Sequence, residues 1–484
     1  MTDVRLRVLA HGQLPPPDRV LSALPRACRP ALLDSSNGQG WSLLAWSPDR
    51  ELFGRLQPGR PVSSLPDSNR ASGPATRWPL ADEDPGRILD RHWSREQWLR
   101  EDPEPPLAGG WIGYLGFECG HAYEPYPWLP PDPAGFPDFH FARYRQAILW
   151  RPNGEAQLVY GELPGRNSSR ERKQAMAYWR QFQQAKPVCL ETGRLPALPQ
   201  PQIPAAAFRR QVERLRAWIG EGELFQANLA HRLMGPAPLD ARALYALLRR
   251  AQPTSMSAYW EGGRPSGAGF QGGALLSWSP ERFLRIHGAQ LQSRPIKGTA
   301  PRSGDPETDR RTRQKLQASV KERAELTMIV DMARNDLGRL APPGGVEVPS
   351  PGEIEVFPTL YHRTATVAAS WRPEAGAASL WHATFPPASI SGAPKVRALQ
   401  AIAELESTGR GPYCGIFGAW EPGLPRGDFS VLIRTALVYD RMLALRVGAG
   451  IVWDSEPEAE WQETLLKARY LKAALAPAGI RRNG

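Results

Sequence analysis

Cysteine is scarce: four in 484 residues, at Cys28, Cys119, Cys189 and Cys414. No two form a C-x-x-C pair, so neither a zinc ribbon nor a redox dithiol is signalled. A disulfide framework does not suit this length and density, and a reducing compartment is expected. No run approaches the ~18 consecutive apolar residues of a spanning helix, so no membrane is expected. Met1–Pro17 contains no apolar core of a secretory signal before its three prolines, which makes the cytoplasm the expected location. Long Lys/Arg blocks are also lacking, although the net charge is +11. Charge spread in this way fits an Arg-rich composition, and no nucleic acid is expected as a partner. Walker A, H-E-x-x-H and G-x-S-x-G strings are absent. What remains is globular: 41% hydrophobic and 23% charged residues, near the usual balance. The 50 prolines are about twice the usual ~5% and cluster as loop punctuation.

Ala31–Leu33, Trp41–Trp46, Gly110–Phe117 and Gln146–Trp150 read as strands or buried segments. Ser169–Ala185 reads as a polar helix, followed by prolines at 196, 199, 201 and 204 that look like a linker. Phe208, Val212, Leu215 and Ile219 then mark one helix face, with Gly222 as a stop and Glu223–Leu233 as a strand. Arg310–Met332 is predicted to be one long helix, and Glu458–Leu475 an amphipathic one. Phe429–Tyr439 and Met442–Trp453 read as a hairpin turning at Asp440–Arg441, with Ile416–Trp420 as its third strand. Strands mixed with long helices, without a βαβ rhythm, give an α+β class. The chain divides into 1–160, a variable helix and Pro-rich connection over 161–204, a main region over 205–476 and a tail over 477–484.

Gly267-x-Gly269-x-x-Gly272 neither follows a strand nor opens a helix, as a dinucleotide site requires, and reads as a glycine-rich loop. Asn167-Ser-Ser is a glycosylation triplet that has no secretory context. The paired carboxylates are more informative. Glu322/Glu325 and Glu460/Glu463 are each spaced i, i+3, which puts both carboxylates on one helix face. Each pair alone is ordinarily a solvated face; two such faces turned together would suit Mg²⁺. Lys297, between Ile296 and Gly298, reads as a turn leaving a strand. A partly desolvated lysine there could lose its proton and act as a nucleophile.

In this order the strings resemble one family, the chorismate-utilising enzymes, which includes the component I chains of aminodeoxychorismate and anthranilate synthases and the isochorismate synthases. The matching strings begin with Gly222-Glu-Leu-Phe-Gln-Ala-Asn-Leu229, Ser279-Pro-Glu-Arg-Phe283, Pro295-Ile-Lys-Gly-Thr299 and Lys321-Glu-Arg-Ala-Glu325. Val330–Arg339, Ser391-Gly-Ala-Pro-Lys395, Gly411-Pro-Tyr-Cys-Gly415, Ile433-Arg-Thr435, Gly448-Ala-Gly450 and Glu460-Trp-Gln-Glu463 follow. The N-terminal match is thinner: Leu32-Leu-Asp-Ser35 and Gly109–Phe117. The resemblance implies two large antiparallel sheets packed as a sandwich and wrapped by helices, knitting both ends of the chain into one body.

The resemblance also implies chorismate as substrate and Mg²⁺ as cofactor, bound through Glu325 and Glu463, with Glu322 and Glu460 acting directly or through water. Lys297 in a P-I-K-G-T string is similar to the C4-aminating members; anthranilate synthases typically have Ala there. The isochorismate and salicylate members carry a base lysine where this chain has Gln226, so their water-activating lysine is missing. Lys297 would attack C2, Glu281 would protonate the leaving C4 oxygen, and ammonia would then give 4-amino-4-deoxychorismate, the 4-aminobenzoate and folate precursor. Arg434, Lys467, Tyr413, Thr299, Gln226 and the backbone at Gly448 and Gly450 would line the substrate site, and His362 stands at the family's active-site histidine. Asp34 and Ser35 match a tryptophan pocket of relatives. None of the cysteines sits in a G-x-C-x-G setting, so ammonia is expected from a separate glutamine amidotransferase subunit. The alternatives are anthranilate synthase component I or another chorismate enzyme and, remotely, a non-catalytic anion- or nucleic-acid-binding protein. Two departures from the family stand out: Pro387-Ala388 where relatives often carry Gly-Gly, and Arg363-Thr-Ala365 after His362.

Overall fold

The computed structural model describes residues 1–57, 60–64, 78–79, 84–100, 104–186, 198–262, 264–266, 269–357, 360–423, 425–469 and 471. Two large sheets organise them, one of 13 strands and one of 12. Nearly all pairs are antiparallel; Thr2–Gln13 beside Glu96–Arg100 is parallel. Each sheet is built from a block of late strands and a block of early strands that meet at one strand pair. In the first sheet Ala31–Asp34 lies beside Met256–Trp260, and in the second Gly110–Leu115 lies beside Ile416–Glu421.

The side-chain pattern explains the stacking. Along Gly110–Leu115 every residue is buried, because successive side chains point to opposite faces and both faces are covered. Ile112 and Tyr114 join Leu43, Ala45, Leu275, Leu437, Phe417 and Ala419 in a core between the sheets. Trp111 and Leu115 point the other way, onto helices that supply Leu326, Val330, Leu380, Trp381 and Leu399. The outer face of the first sheet is covered by Val20 and Leu21, Trp179 and Phe182, and Leu244 and Leu248 from three further helices. The order is helix, sheet, sheet, helix.

Several sequence expectations change here. The expected Arg310–Met332 helix is two helices, Pro306–Ala318 and Val320–Gly338. Ser319 is extended between them, and its Oγ accepts the Glu322 amide at 3.3 Å. Ser319-Val-Lys-Glu322 is a capping-box string that starts a new helix. Phe429–Tyr439 is not one strand: Arg426–Val431 lies in the second sheet and Thr435–Tyr439 in the first. The hairpin is therefore Thr435–Tyr439 with Met442–Ile451, turning at Asp440 (φ 48°) and Arg441 (φ 61°). Ile416–Glu421 belongs to the other sheet. In Ala205–Gly220 the buried fourth residue is Trp218 rather than Ile219. The end of the Pro-rich linker forms a two-residue strand, Gln200–Pro201, on Gln226–Pro236. Gly269–Gln271 of the glycine-rich string pairs with Arg264–Ser266 in a hairpin; Gly267 lies outside the described residues. The last helix runs Pro457–Lys467, and the tail expected over 477–484 lies outside the described residues. Cys28, Cys119 and Cys414 are buried and unpaired; Cys189 lies outside the described residues. No helix among the described residues is long and apolar enough to cross a membrane.

Candidate active site

Two of the chain's crossings between the sheets lie side by side. The chain leaves Gly273–Ser279 of the first sheet through Pro280–Glu281 and enters Arg282–His287 of the second. It returns through Leu432–Arg434, where Arg434 has a left-handed φ of 49°. Two bonds tie the crossings together: Val431 N–H donates to the Glu281 carbonyl and Trp278 N–H to the Arg434 carbonyl, each at 3.1 Å. Arg434 therefore stands at a break, not within the strand expected from sequence. Glu281 is 5% exposed. Burial pushes its carboxyl up to about 7, against the lowering effects of a Ser389 hydrogen bond and the Lys297 charge.

Lys297 is inside a strand, Ile296–Pro301, not at the turn expected from sequence. It pairs with Arg363, while Thr299 pairs with His362, so Gly298 (φ 79°) bulges out as an extra residue. A Cβ on Gly298 would stand 3.0 Å from Glu322 Oε2. The Lys297 charge favours the ionised form of both Glu322 and Glu281. His362 is buried, and its Nδ1 is 2.9 Å from Thr299 Oγ1. Burial, reinforced by the Arg434 charge, lowers His362 to about 3, so its imidazole is neutral near neutral pH. Arg363 donates to the Gln317 carbonyl at 2.6 Å and also to that of Leu316, closing the end of the first helix beside the Ser319 break.

The facing wall belongs to the first sheet, where Gln226–Pro236 pairs with Met442–Ile451. A Cβ on Gly450 would lie 2.4 Å from Gln226 Nε2 and 4.0 Å from Lys297 Nζ. One on Gly448 would lie 3.1 Å from the Tyr413 hydroxyl and 3.0 Å from Asn228 Oδ1. The two glycines thus leave a side-chain-free floor where backbone can approach a ligand. Gln226 is buried, and its Oε1 has no partner.

Each carboxylate pair starts in the first turn of its helix, at Glu322 and Glu460, and ends in the second. Glu322 is held above its usual range by burial and then by Glu325; Glu460 is raised by burial and by Glu463. The Lys321 charge, from the other helix, favours the ionised form of Glu460. Lys467 pairs with Glu463 at 2.8 Å and Lys321 with Glu325 at 4.0 Å. Among the described residues no three acidic, histidine or cysteine side chains converge tightly enough to hold a metal ion. The donor chemistry fits a hard divalent cation all the same, because an excess of carboxylate charge is what such an ion relieves.

Asp34 and Ser35 lie elsewhere, in a cavity of about 380 Å³ that also has Pro280, Arg282 and Ile296 in its wall. These three are chain neighbours of Glu281 and Lys297. The Asp34 carboxylate is engaged by Arg249 (2.7 Å), Tyr245 (2.9 Å) and Ser42 (2.8 Å). The Pro387-Ala388 departure costs no positive φ: Pro387 has φ −55° and precedes the short Ala388–Ser391 helix, where its missing N–H is harmless. That helix delivers Ser389 to Glu281. Sequence reasoning assigned no role to Ser389, Lys321 or Arg363, although each lies in or beside a string already singled out.

A buried carboxyl raised to about 7 beside a lysine, an arginine at a crossover, a bare glycine floor and four carboxylates make a site for an anionic substrate. Nucleophilic attack with general-acid assistance is within its means.

Residues 63–473 match the family model described as chorismate binding enzyme. The chain is 35% identical over 370 residues to aminodeoxychorismate synthase component 1 of Salmonella typhimurium, covering 76% of this chain and 77% of that one. It is 33% identical over 405 residues to an anthranilate synthase component 1 of Haloarcula marismortui, covering 81% and 78%. Among solved structures it resembles anthranilate synthase component I from Streptococcus pneumoniae, with a TM-score of 0.74, 27% identity and coverage of 90% and 92%.

Proposed function

The chain belongs to the chorismate-binding enzyme family, and from that premise we propose that it aminates chorismate at C4 to give 4-amino-4-deoxychorismate, a precursor of 4-aminobenzoate and folate. The observation that carries this reading is the setting of Lys297. It points at the glycine floor, 4.0 Å from the position a Gly450 Cβ would take, with its charge felt by Glu281 and Glu322.

Burial disfavours ionised Glu281, so the lysine ammonium–carboxylate pair can pass to the neutral amine–carboxylic acid pair by moving one proton. The neutral amine of Lys297 adds to C2, the ring double bonds shift, and the C4–O bond breaks. Glu281 gives its proton to that oxygen, which leaves as water. Ammonia then attacks C4, the double bonds shift back, and the C2–N bond breaks to release Lys297. The ammonium formed at C4 returns a proton to Glu281. Splitting one hard substitution into two easier ones is what covalent catalysis offers. Arg434 and Lys467 hold the substrate carboxylates, helped by Tyr413, Gln226 and the backbone at Gly448–Gly450. A planar guanidinium suits bidentate carboxylate binding. His362, neutral and bonded to Thr299, orients rather than protonates. Glu322, Glu325, Glu460 and Glu463 would hold Mg²⁺, which offsets the dianion's charge and orients it.

Ammonia comes from a separate glutamine amidotransferase subunit. Relatives of this chain bear the name component 1, and none of its cysteines lies in a nucleophile-elbow string. The purified chain should use ammonium but not glutamine; glutamine use by the chain alone would refute this part.

The test is product identity. Chorismate, Mg²⁺ and ammonium are incubated with the protein and chromatographed with and without an aminodeoxychorismate lyase. A species that the lyase converts to 4-aminobenzoate supports the reading. Fluorescent anthranilate supports the second reading, anthranilate synthase component 1, which the comparable identity to that group favours.

A further inference from the structure

The helix Pro457–Lys467 carries Glu460, Glu463 and Lys467, three groups assigned to cation and substrate, and its rotation about its own axis decides where they point. Its inward face is fixed by Trp461 and Thr464, both buried. Thr464 Oγ1 donates to the Trp461 carbonyl at 2.7 Å. Its proton is thereby engaged, so the contact with His231 Nε2 at 2.8 Å runs the other way, from imidazole N–H to hydroxyl oxygen. Burial lowers His231 to about 4, so the ring carries one proton near neutral pH; Nδ1 has no hydrogen-bond partner, and the tautomer that completes the Thr464 contact carries that proton on Nε2. The ring also stacks on Trp461, with centroids 4.8 Å apart and planes 26° apart. Phe208 closes the cluster at 5.2 Å from His231 and 5.6 Å from Trp461.

His231 sits on the strand that also carries Gln226 and Asn228, paired across to Val447 beside Gly448. A donor on the floor strand therefore grips the helix one residue from Glu463 and one turn from Glu460. We propose that His231 is a positioning residue: its Nε2–H, held to Thr464, sets the rotation of the C-terminal helix and thereby the aim of Glu460 and Glu463 at a divalent cation. A shape-filling apolar residue at 231 would keep the packing and lose the directional bond.

This inference rests on the reading of the four glutamates as a Mg²⁺ site, and its test reads that site directly. Mn²⁺ binding to the full chain is titrated by electron paramagnetic resonance for wild type, His231→Leu, His231→Gln and Thr464→Val. Gln places an N–H donor near the position of Nε2, so His231→Gln should bind within about 3-fold of wild type. His231→Leu and Thr464→Val should bind at least ~10-fold more weakly, the usual scale for losing a group that orients a metal ligand. Folded Leu or Val variants with wild-type Mn²⁺ affinity would overturn the proposal, as would a loss in His231→Gln equal to that in His231→Leu. Should His231→Leu fail to fold, the near-isosteric Thr464→Val decides. A lowered Tm with unchanged Mn²⁺ binding would mean the cluster only stabilises. A wild-type chain that binds no Mn²⁺ would overturn the magnesium reading itself, and the inference with it.

Discussion

Lys467 Nζ donates to the carbonyl oxygen of Gly448 at 2.8 Å, which ties the end of the C-terminal helix to the strand that bears both floor glycines. The same ammonium pairs with Glu463 at 2.8 Å. An ammonium has three donors, so one remains for a substrate carboxylate. A hydrogen bond to a charged group contributes about 1.5–3 kcal/mol. Lys467→Met should therefore raise KM for chorismate roughly 10- to 150-fold, with a smaller change in kcat. Steady-state kinetics with ammonium as the nitrogen source checks this. A variant that lowers kcat alone would show that Lys467 acts only at the chemical step.

Lys297→Ala should lower the rate of C4 amination on the order of 10³-fold or more, the scale expected when a covalent nucleophile is lost. Lys297 is half-buried on a sheet-edge strand, so Tm should change little. Intact mass spectrometry gives an independent readout. Without ammonium, the wild-type chain should carry a chorismate-minus-water adduct that Lys297→Ala does not carry.

Glu281 supplies the pH dependence. Its carboxyl is raised to about 7 chiefly by burial, and the acid role needs the protonated form. Glu281 draws that proton from Lys297, so the reactive pair holds one proton between them; below about 7 both groups are protonated and the lysine is no nucleophile, and activity should rise, approaching tenfold per unit, as pH increases towards about 7. Ser389 bonds to this carboxyl and favours its ionised form. Ser389→Ala should raise the Glu281 pKa further and move the rising limb to more alkaline pH. A pH series of kcat/KM for the two proteins measures the displacement; a displacement towards acid would contradict the assignment of Glu281 as the acid.

Much of this site can be read from the sequence because its chemistry sits in short strings. Ser279-Pro-Glu281, Lys297-Gly298, the two E-x-x-E pairs and Gly448-Ala-Gly450 each hold a candidate group together with the backbone beside it. What eluded the sequence was non-local. Period and propensity run smoothly through Ser319, yet its side chain caps a new helix at Glu322. Phe429–Tyr439 is β-rich throughout, yet it changes sheets at Leu432–Arg434, because the partners that decide this are Glu281 and Trp278 across a second crossover. His231 sits in a strand pattern as an ordinary buried polar residue, and only the packed helix shows what its proton does. Ser319-Val-Lys-Glu322 is the local string that marks this helix start.

The loop that carries Tyr413 is held by a fully buried ion pair, and this gives a prediction about stability. Arg410 is 1% exposed and meets Glu406 at 2.6 and 3.0 Å. Its guanidinium also donates to the Asn228 carbonyl at 2.5 Å and to that of Ile390 at 3.3 Å. Glu406 in turn accepts the Ala230 amide at 2.9 Å. The pair thus joins the Tyr413 loop to the floor strand and to the helix that presents Ser389. Glu406 favours the charged form of Arg410 against the cost of burial. Glu406→Ala leaves that charge buried without its partner and should destabilise the fold by about 3–5 kcal/mol. The double variant Glu406→Leu/Arg410→Met removes both charges and keeps the volume, so it should recover most of that loss. Urea denaturation of the three proteins separates the cases. A single variant no less stable than the double would mean that water reaches Arg410 and that the pair does not hold the loop.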